Sequence, residues 1–500
     1  MTTPPQPPSP PPTESAPPLD HAAVRPIIAG LMLAMFLSAL EQTIVAPALA
    51  TIGKSLADVD NLSWVVTAYL LAATAVTPLF GKLSDIYGRR VTMLAAVIIF
   101  LLGSVACALA PTMPLLIAAR ALQGIGGGGI LPLAHTIIGD MVTPRERPRY
   151  MAYSSVMFMA ASIVGPVLGG VLTDWLHWTM IFWINLPLGL VALIMTDRAL
   201  RRLPRHDRPH RLDVAGATLM VGAALALMLA MSWGGTRHPW GSWPILALLI
   251  ASLALWAGFA LRAARAPEPF IPITVLRQPI IAAVTAAGFF GVGVITALSI
   301  FLPLYFELVL GFSPSGSGLA LIVFLAGATA GSFAAGWLMI HIHHYKRVPV
   351  GGLLIAIAMF VAFALKPAGL SLTEVAILLA IGGAGLGVMY PVTTVITQNA
   401  VEPHQLGTAT GMLNFCRHLG STIIVAAFGA ILLGGIDTGG PGLTLDMLSR
   451  GAARHGDFAP MFRWVFAAGA LLLVGGLIAI LAVEERPLRG PVRRAAAPAE

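Results

Sequence analysis

The sequence predicts an all-α membrane protein with fourteen transmembrane helices, arranged as two six-helix bundles joined by two linking spans. Three observations carry that expectation. The 500 residues are 57% apolar and 10% charged, whereas ordinary soluble proteins hold about 45–50% apolar and about 25% charged residues. Fourteen apolar runs of near-spanning length follow one another along the chain. The basic residues gather in alternate connections between those runs, as the positive-inside rule requires.

The elements follow in order. Residues 1–25 form a polar, proline-rich segment (Pro4, Pro5, Pro7, Pro8, Pro10, Pro11 and Pro12) without the apolar centre of a signal peptide, and are expected to be a disordered cytoplasmic tail. Apolar runs then fall at 27–50, 62–81, 91–110, 114–138, 150–173, 179–197, 212–233, 244–264, 280–306, 315–340, 348–365, 374–397, 407–434 and 462–483. A turn at Gly311, Phe312, Ser313 and Pro314 separates the ninth run from the tenth. A spanning helix takes about 20 residues, so fourteen would use nearly the whole apolar inventory.

Basic segments at Arg198 to Arg211 and at Arg262, Arg265 and Arg277 mark a seam. The expected division is an N-terminal bundle at 26–198, basic loops and two linking spans at 199–278, a C-terminal bundle at 279–485 and a cytoplasmic tail at 486–500. Gly81-Lys82-Leu83 after the second run is paralleled by Gly336-Trp337-Leu338 after the tenth. Two similar halves suit a rocking mechanism around a central site.

With the N-terminus inside, 22 of the 30 Lys and Arg residues fall in inside segments. The outside connections hold Lys54, Arg237, Lys366, Arg450, Arg454 and Arg463, and two arginines, Arg120 and Arg417, lie within spans. Both termini are therefore expected in the cytoplasm, with the chain in a plasma membrane of the bacterial inner-membrane type.

Several function classes drop out. The +8 charge and pI near 9.9 do not mark a nucleic-acid binder, because the basic residues sit between apolar runs and not on one amphipathic element. Cys107 and Cys416 lie within spans and read as packing residues. His341, His343 and His344 stand beside Lys346 and Arg347 with no carboxylate or Cys near, so no metal site is expected. The glycines at 126–129 are not followed by Lys-Ser/Thr and make no nucleotide loop. With no segment long enough for an ATP-binding domain, no cofactor is expected and the energy must come from an ion gradient. The expected partners are a small-molecule substrate, protons and the lipid bilayer; accessory periplasmic export proteins stay open.

An intramembrane carboxylate is costly, by at least about 2.5 kcal/mol at a helix centre, and is a functional candidate by default. Glu41 in the first run is that acid. At 1.5 Å per residue it lies roughly 14 Å from the outer end of its span, and Arg120 lies roughly 10 Å from the outer end of the fourth. The two share a depth, so Glu41 is the expected proton-binding group and Arg120 its partner, with a purely structural ion pair as the alternative. Glu307 near the outer end of the ninth run and Arg417 well inside the thirteenth are candidates for substrate contact or gating. Ala161, Gly165 and Gly169 recur every four residues and make one helix face smooth, beside Pro166, which withholds a backbone donor; Gly383 and Gly387 repeat the spacing.

The segment Gly81-Lys82-Leu83-Ser84-Asp85-Ile86-Tyr87-Gly88-Arg89-Arg90, between the second and third runs, resembles the signature loop of the major facilitator superfamily. Its glycines suit a tight turn, and Asp85 suits a helix cap or an ion pair across the bundle interface, which would latch the outward-facing state. Leu40 to Leu49, with Glu41 where Asp is usual, resembles the opening signature of the fourteen-span drug:proton antiporters within that superfamily. Arg120 to Gly128, which includes Gln123, is similar to the arginine-bearing motif of the same family. Gly165-Pro166-Val167-Leu168-Gly169-Gly170 is similar to its antiporter motif, with Ala161 in place of the leading glycine, and Ile181 to Gly189 adds a fourth likeness. The resemblance implies export of small lipophilic or monocationic compounds in exchange for protons, a latch at Gly81, Asp85, Gly88, Arg89 and Arg90, a hinge at Gly165, Pro166, Gly169 and Gly170, and Gln123 as a further substrate or gating candidate. A dedicated exporter or importer of one metabolite on the same scaffold is the alternative, with a membrane sensor or enzyme more remote.

Overall fold

A computed structural model describes residues 21–58, 61–144, 146–201, 212–235, 237–272, 275, 277–342, 344–434 and 458–487. Most of the proline-rich tail, Arg202, Arg205, Arg208 and Arg211 of the basic loop, His343, Arg450, Arg454 and residues 488–500 lie outside them. Fourteen described helices are long and apolar enough to cross a membrane, and no strand occurs among the described residues. They are α1 (Pro26–Ser55), α2 (Leu62–Tyr87), α3 (Arg89–Ala108), α4 (Met113–Met141), α5 (Arg147–Trp175), α6 (Met180–Leu200), α7 (Val214–Trp233), α8 (Trp243–Arg265) and α9 (Pro279–Leu308). The second half continues with α10 (Pro314–His341), α11 (Arg347–Leu365), α12 (Leu372–Ala400), α13 (Leu406–Gly434) and α14 (Ala459–Ala482).

The runs and the helices agree in number and order. The break between α9 and α10 falls at the expected turn, where Gly311 takes φ 70°. Two departures concern boundaries. Helical structure begins at His21, ahead of the spanning stretch α1 and inside the segment expected as tail. The segment at 81–90, expected as a loop, is almost wholly helical: α2 continues through Lys82 and Asp85 to Tyr87, and only Gly88, at φ 87°, separates it from α3. Asp85 in this last helical turn, and Arg89 just beyond Gly88, are held by polar partners described below.

The first half packs α2 and α3 on α4, and α5 and α6 on α1; the second packs α9 on α13 and α14, and α10 on α12. Gly124 and Gly128 let α4 lie against the backbone of α2 at Tyr69 and Ala73, and Gly383 and Gly387 do the same for α12 against α10 at Phe324 and Ala328. The glycine spacing at 383 and 387 thus repeats the α2–α4 contact, not the one made by Gly165 and Gly169. The linking helices α7 and α8 pack on each other, and α7 also rests on α2 and α13. Ala217, Met220, Phe259, Phe270 and Ile271 form their small core, and Asp213 caps α7 while accepting from Arg262 Nε at 3.1 Å.

The two ends of the molecule differ. At the end bearing Arg89, Arg90 and Arg147, one continuous core joins the halves through Ile137, Met141, Val284, Val392, Val395 and Ala409. Gln398 Nε2 donates to His135 O at 3.0 Å, and Ser155 Oγ donates to Ser332 Oγ at 2.8 Å, across the same seam. At the opposite end the core divides into one cluster around Leu40, Val65 and Phe182 and another around Phe301, Tyr305 and Phe466. A central cavity occupies the gap.

Candidate functional site

Three sites emerge. The first is a sealed polar cluster inside the N-terminal half. Glu41 on α1 is 0% exposed and Arg120 on α4 is 1% exposed, in helices built mainly of apolar residues. Arg120 Nη1 bonds Glu41 Oε1 and also donates to Gln123 Oε1 at 2.6 Å, while Nε donates to Val65 O at 2.7 Å. Asn185 Nδ2 on α6 donates to the other carboxylate oxygen of Glu41 and to Ser104 Oγ at 3.0 Å. Gln123 Nε2 donates to Ser104 Oγ at 2.7 Å. The guanidinium lies 4.6 Å from the centroid of the Tyr69 ring, a cation–π distance. Five helices thus contribute to one cluster, with α4 and α6 bonding the carboxylate directly, and the desolvation of both charges is offset only by mutual pairing and by these dipoles.

The expected meeting of Glu41 and Arg120 at one depth is present. Gln123, a candidate for substrate contact, belongs instead to this cluster and is absent from the cavity wall. Asn185 and Ser104 received no role from the sequence. The available signal was a lone amide in an apolar span, which by its cost points to a partner.

The second site is the turn between α2 and α3. Asp85 accepts from Gly407 N at 3.0 Å, Thr408 N at 2.7 Å and Thr408 Oγ1 at 2.6 Å. It thereby caps α13 of the other half, where the helix N-terminus favours negative charge. Arg89 pairs with Asp85 through Nη1 and with Asp140 Oδ2 through Nε at 2.6 Å. Arg90 pairs with Asp197 on α6, within its own half. The glycines divide the work: Gly88 makes the turn, whereas Gly81 sits in the helix where a methyl group would overlap the Gly407 carbonyl.

The third site is the cavity, about 880 Å³, within the usual range of about 300–1,000 Å³ for small-molecule sites. Ala39, Gln42 and Thr43 of α1 face it, so Glu41 lies on the same helix but turned into the bundle. Met228, Met231 and Trp240 reach it from the linking segment. Tyr390, Arg417 and His418 line it from α12 and α13. Glu307 is half-buried near the end of α9 and is not part of the lining.

The expected hinge is a packing face in this structure. Thr43 Oγ1 donates to Ala161 O at 2.9 Å, and Gly165 and Gly169 receive Thr43 and Ile44 of α1 where a Cβ would overlap them. Pro166 is exposed, Gly170 has open space around it, and α5 runs unbroken through both. Gly165→Leu is expected to push α1 from α5, at a cost of about 1–3 kcal/mol in stability as for other overpacked positions. A lowered thermal unfolding midpoint of the purified protein checks this.

A polytopic helical membrane protein with two halves around a central cavity, and buried charges beside it, is built as a transporter. The model of the Major Facilitator Superfamily matches residues 31–425. A multidrug transporter, MdtP of Bacillus subtilis (strain 168), is 33% identical over 407 residues, covering 81% of this chain and 75% of the relative. Multidrug resistance protein 3 of the same organism is 32% identical over 411 residues, covering 82% and 80%. Among solved structures, the human organic anion transporter MFSD10 aligns over 90% of this chain and 99% of its own with a TM-score of 0.62 at 17% identity, a likeness of fold alone. The chain belongs to the major facilitator superfamily and is a membrane transporter, not an enzyme.

Proposed function

We propose that this transporter exports small lipophilic compounds in exchange for protons, by alternating access around the central cavity. The observation that carries the reading is Glu41: a carboxylate 0% exposed, tied to Arg120, on a helix whose opposite face lines the cavity. In the reading, the basic end is cytoplasmic and the open end faces outward, in a bacterial inner membrane with both termini inside. The latch of Asp85 on α13 holds the cytoplasmic side shut. A proton arriving from outside neutralises Glu41 and weakens its pairing with Arg120. Arg120 keeps Val65 O and Gln123, while α1 is freed to shift against α4 and α5. The latch parts, and the proton leaves inward as compound loads from the cytoplasmic side.

One proton crossing 100 mV supplies about 2.3 kcal/mol, enough for roughly a fifty-fold gradient of a neutral compound. The two multidrug relatives support efflux as the direction. The experiment is transport in everted vesicles: addition of exported compound to energised vesicles should collapse part of an imposed pH gradient. Compound accumulation with no effect on the gradient would contradict the coupling.

A further inference from the structure

Among the described residues, Arg120 and Arg417 are buried well inside spanning helices, and the structure treats them differently. Arg120 has a carboxylate partner. Arg417, 2% exposed, has none among the described residues. Its Nη2 donates to Tyr390 O at 2.8 Å, Thr393 Oγ1 at 2.6 Å and Thr394 Oγ1 at 2.8 Å, and Nη1 donates to Asn414 Oδ1 at 3.1 Å. The guanidinium lies 4.2 Å from the Tyr390 ring centroid. These contacts are neutral dipoles and a ring face, which fix the orientation of the cation and leave its charge uncompensated. One donor, Nε, has no partner.

Arg417 lines the cavity from α13, between Asn414 and Ser421, with His418 beside it. No Asp, Glu or Lys occurs among the lining residues; the rest are hydroxyls, amides and apolar or ring side chains. A buried cation without a counter-ion is costly unless something supplies one, and here the open volume lies next to it. A cationic compound would meet repulsion with no acid to receive it, whereas an anionic head group would complete the guanidinium's missing charge pair.

We propose that the cavity takes amphiphilic organic anions, with a single carboxylate or similar oxyanion on an apolar body, and that Arg417 receives the anionic group. The apolar body lies against Met228, Met231, Ile295 and Leu325, which line the same space. The proposal rests on the transport reading for its purpose and sharpens its substrate class, replacing the monocations implied by the sequence resemblance. It also changes the electrical balance: outward movement of a monoanion against one inward proton shifts two charges per cycle, and a neutral compound shifts one.

The test compares 1-pyrenebutyrate, its amide and 1-pyrenebutylamine, which share one body and differ in charge. Binding to the full chain in nanodiscs is read by tryptophan-to-pyrene energy transfer, with protein-free discs subtracted. The carboxylate is expected to bind at least about tenfold tighter than the amide, and the amine weakest, as a charge-assisted bond to guanidinium requires. Arg417→Gln should lose that preference, the affinities for carboxylate and amide converging, and Arg417→Lys should keep part of it. Equal binding of the three by the unmodified protein, or tightest binding of the amine, overturns the proposal whether or not the variants fold. Proton movement is measured separately in proteoliposomes. Carboxylate preference without proton movement contradicts the antiport reading alone, and proton movement without carboxylate preference contradicts this inference alone.

Discussion

Glu41→Gln is expected to abolish proton-driven efflux, with a loss of about a hundredfold or more, because the amide keeps the size of the side chain and cannot exchange a proton. Burial of an intact ion pair makes the direction clear. With the carboxylate gone, Arg120 retains Val65 O and Gln123 as acceptors but is left a buried cation without a counter-charge, a loss of about 3–5 kcal/mol for the folded state. Reduced stability is therefore expected alongside lost coupling. Two readouts separate them. Binding of compound by the purified variant should survive, since Glu41 does not line the cavity, while uptake into energised everted vesicles should vanish. Glu41→Asp should recover part of the coupling. Undiminished efflux by the glutamine variant would remove Glu41 from the mechanism.

Asp85→Ala should produce the largest conformational effect. Asp85 accepts three hydrogen bonds from the first turn of α13 and holds Arg89 beside Asp140. Bonds to a charged acceptor are worth about 1.5–3 kcal/mol each, and water recovers part of that when the end opens. A net shift of about 3 kcal/mol moves the equilibrium about a hundredfold toward the state open at the basic end. Spin labels at Tyr87→Cys and Glu402→Cys, with Cys107 and Cys416 changed to alanine, should report a longer distance for the variant than for the parent. An unchanged distance distribution would show that the cap is not what holds this end shut. The matching change Arg90→Ala breaks a contact inside one half and should move the labels little.

Much of the architecture was legible because a bilayer imposes one dominant constraint. Helix number and order follow from runs such as 91–110, with Arg89 and Arg90 just before it and no charge within it. The turn at Gly311 followed from Gly and Pro in close succession. The 81–90 segment misled, because Lys82, Asp85 and Arg89 look like loop residues; the partners of Asp85 and Arg89 lie on α13 and α4, far away in sequence, and a helix with such partners tolerates charge. Glu41 and Arg120 could be singled out by cost alone. Asn185 and Ser104 are uncharged, and their place around the carboxylate depends on which way α3 and α6 face. Helices that are apolar all round give no stripe to reveal that facing. The same lack of a stripe concealed the composition of the cavity, so the absence of acids from its wall emerges only from the fold.

The central claim is tested most directly by adding a bound compound to purified protein in weakly buffered detergent solution and recording the pH. The account predicts release of protons from the unmodified protein and none from Glu41→Gln, with compound binding retained in both. Equal release from the two proteins, or binding by the unmodified protein with no release across the range in which carboxylic acids of this kind titrate, would contradict it.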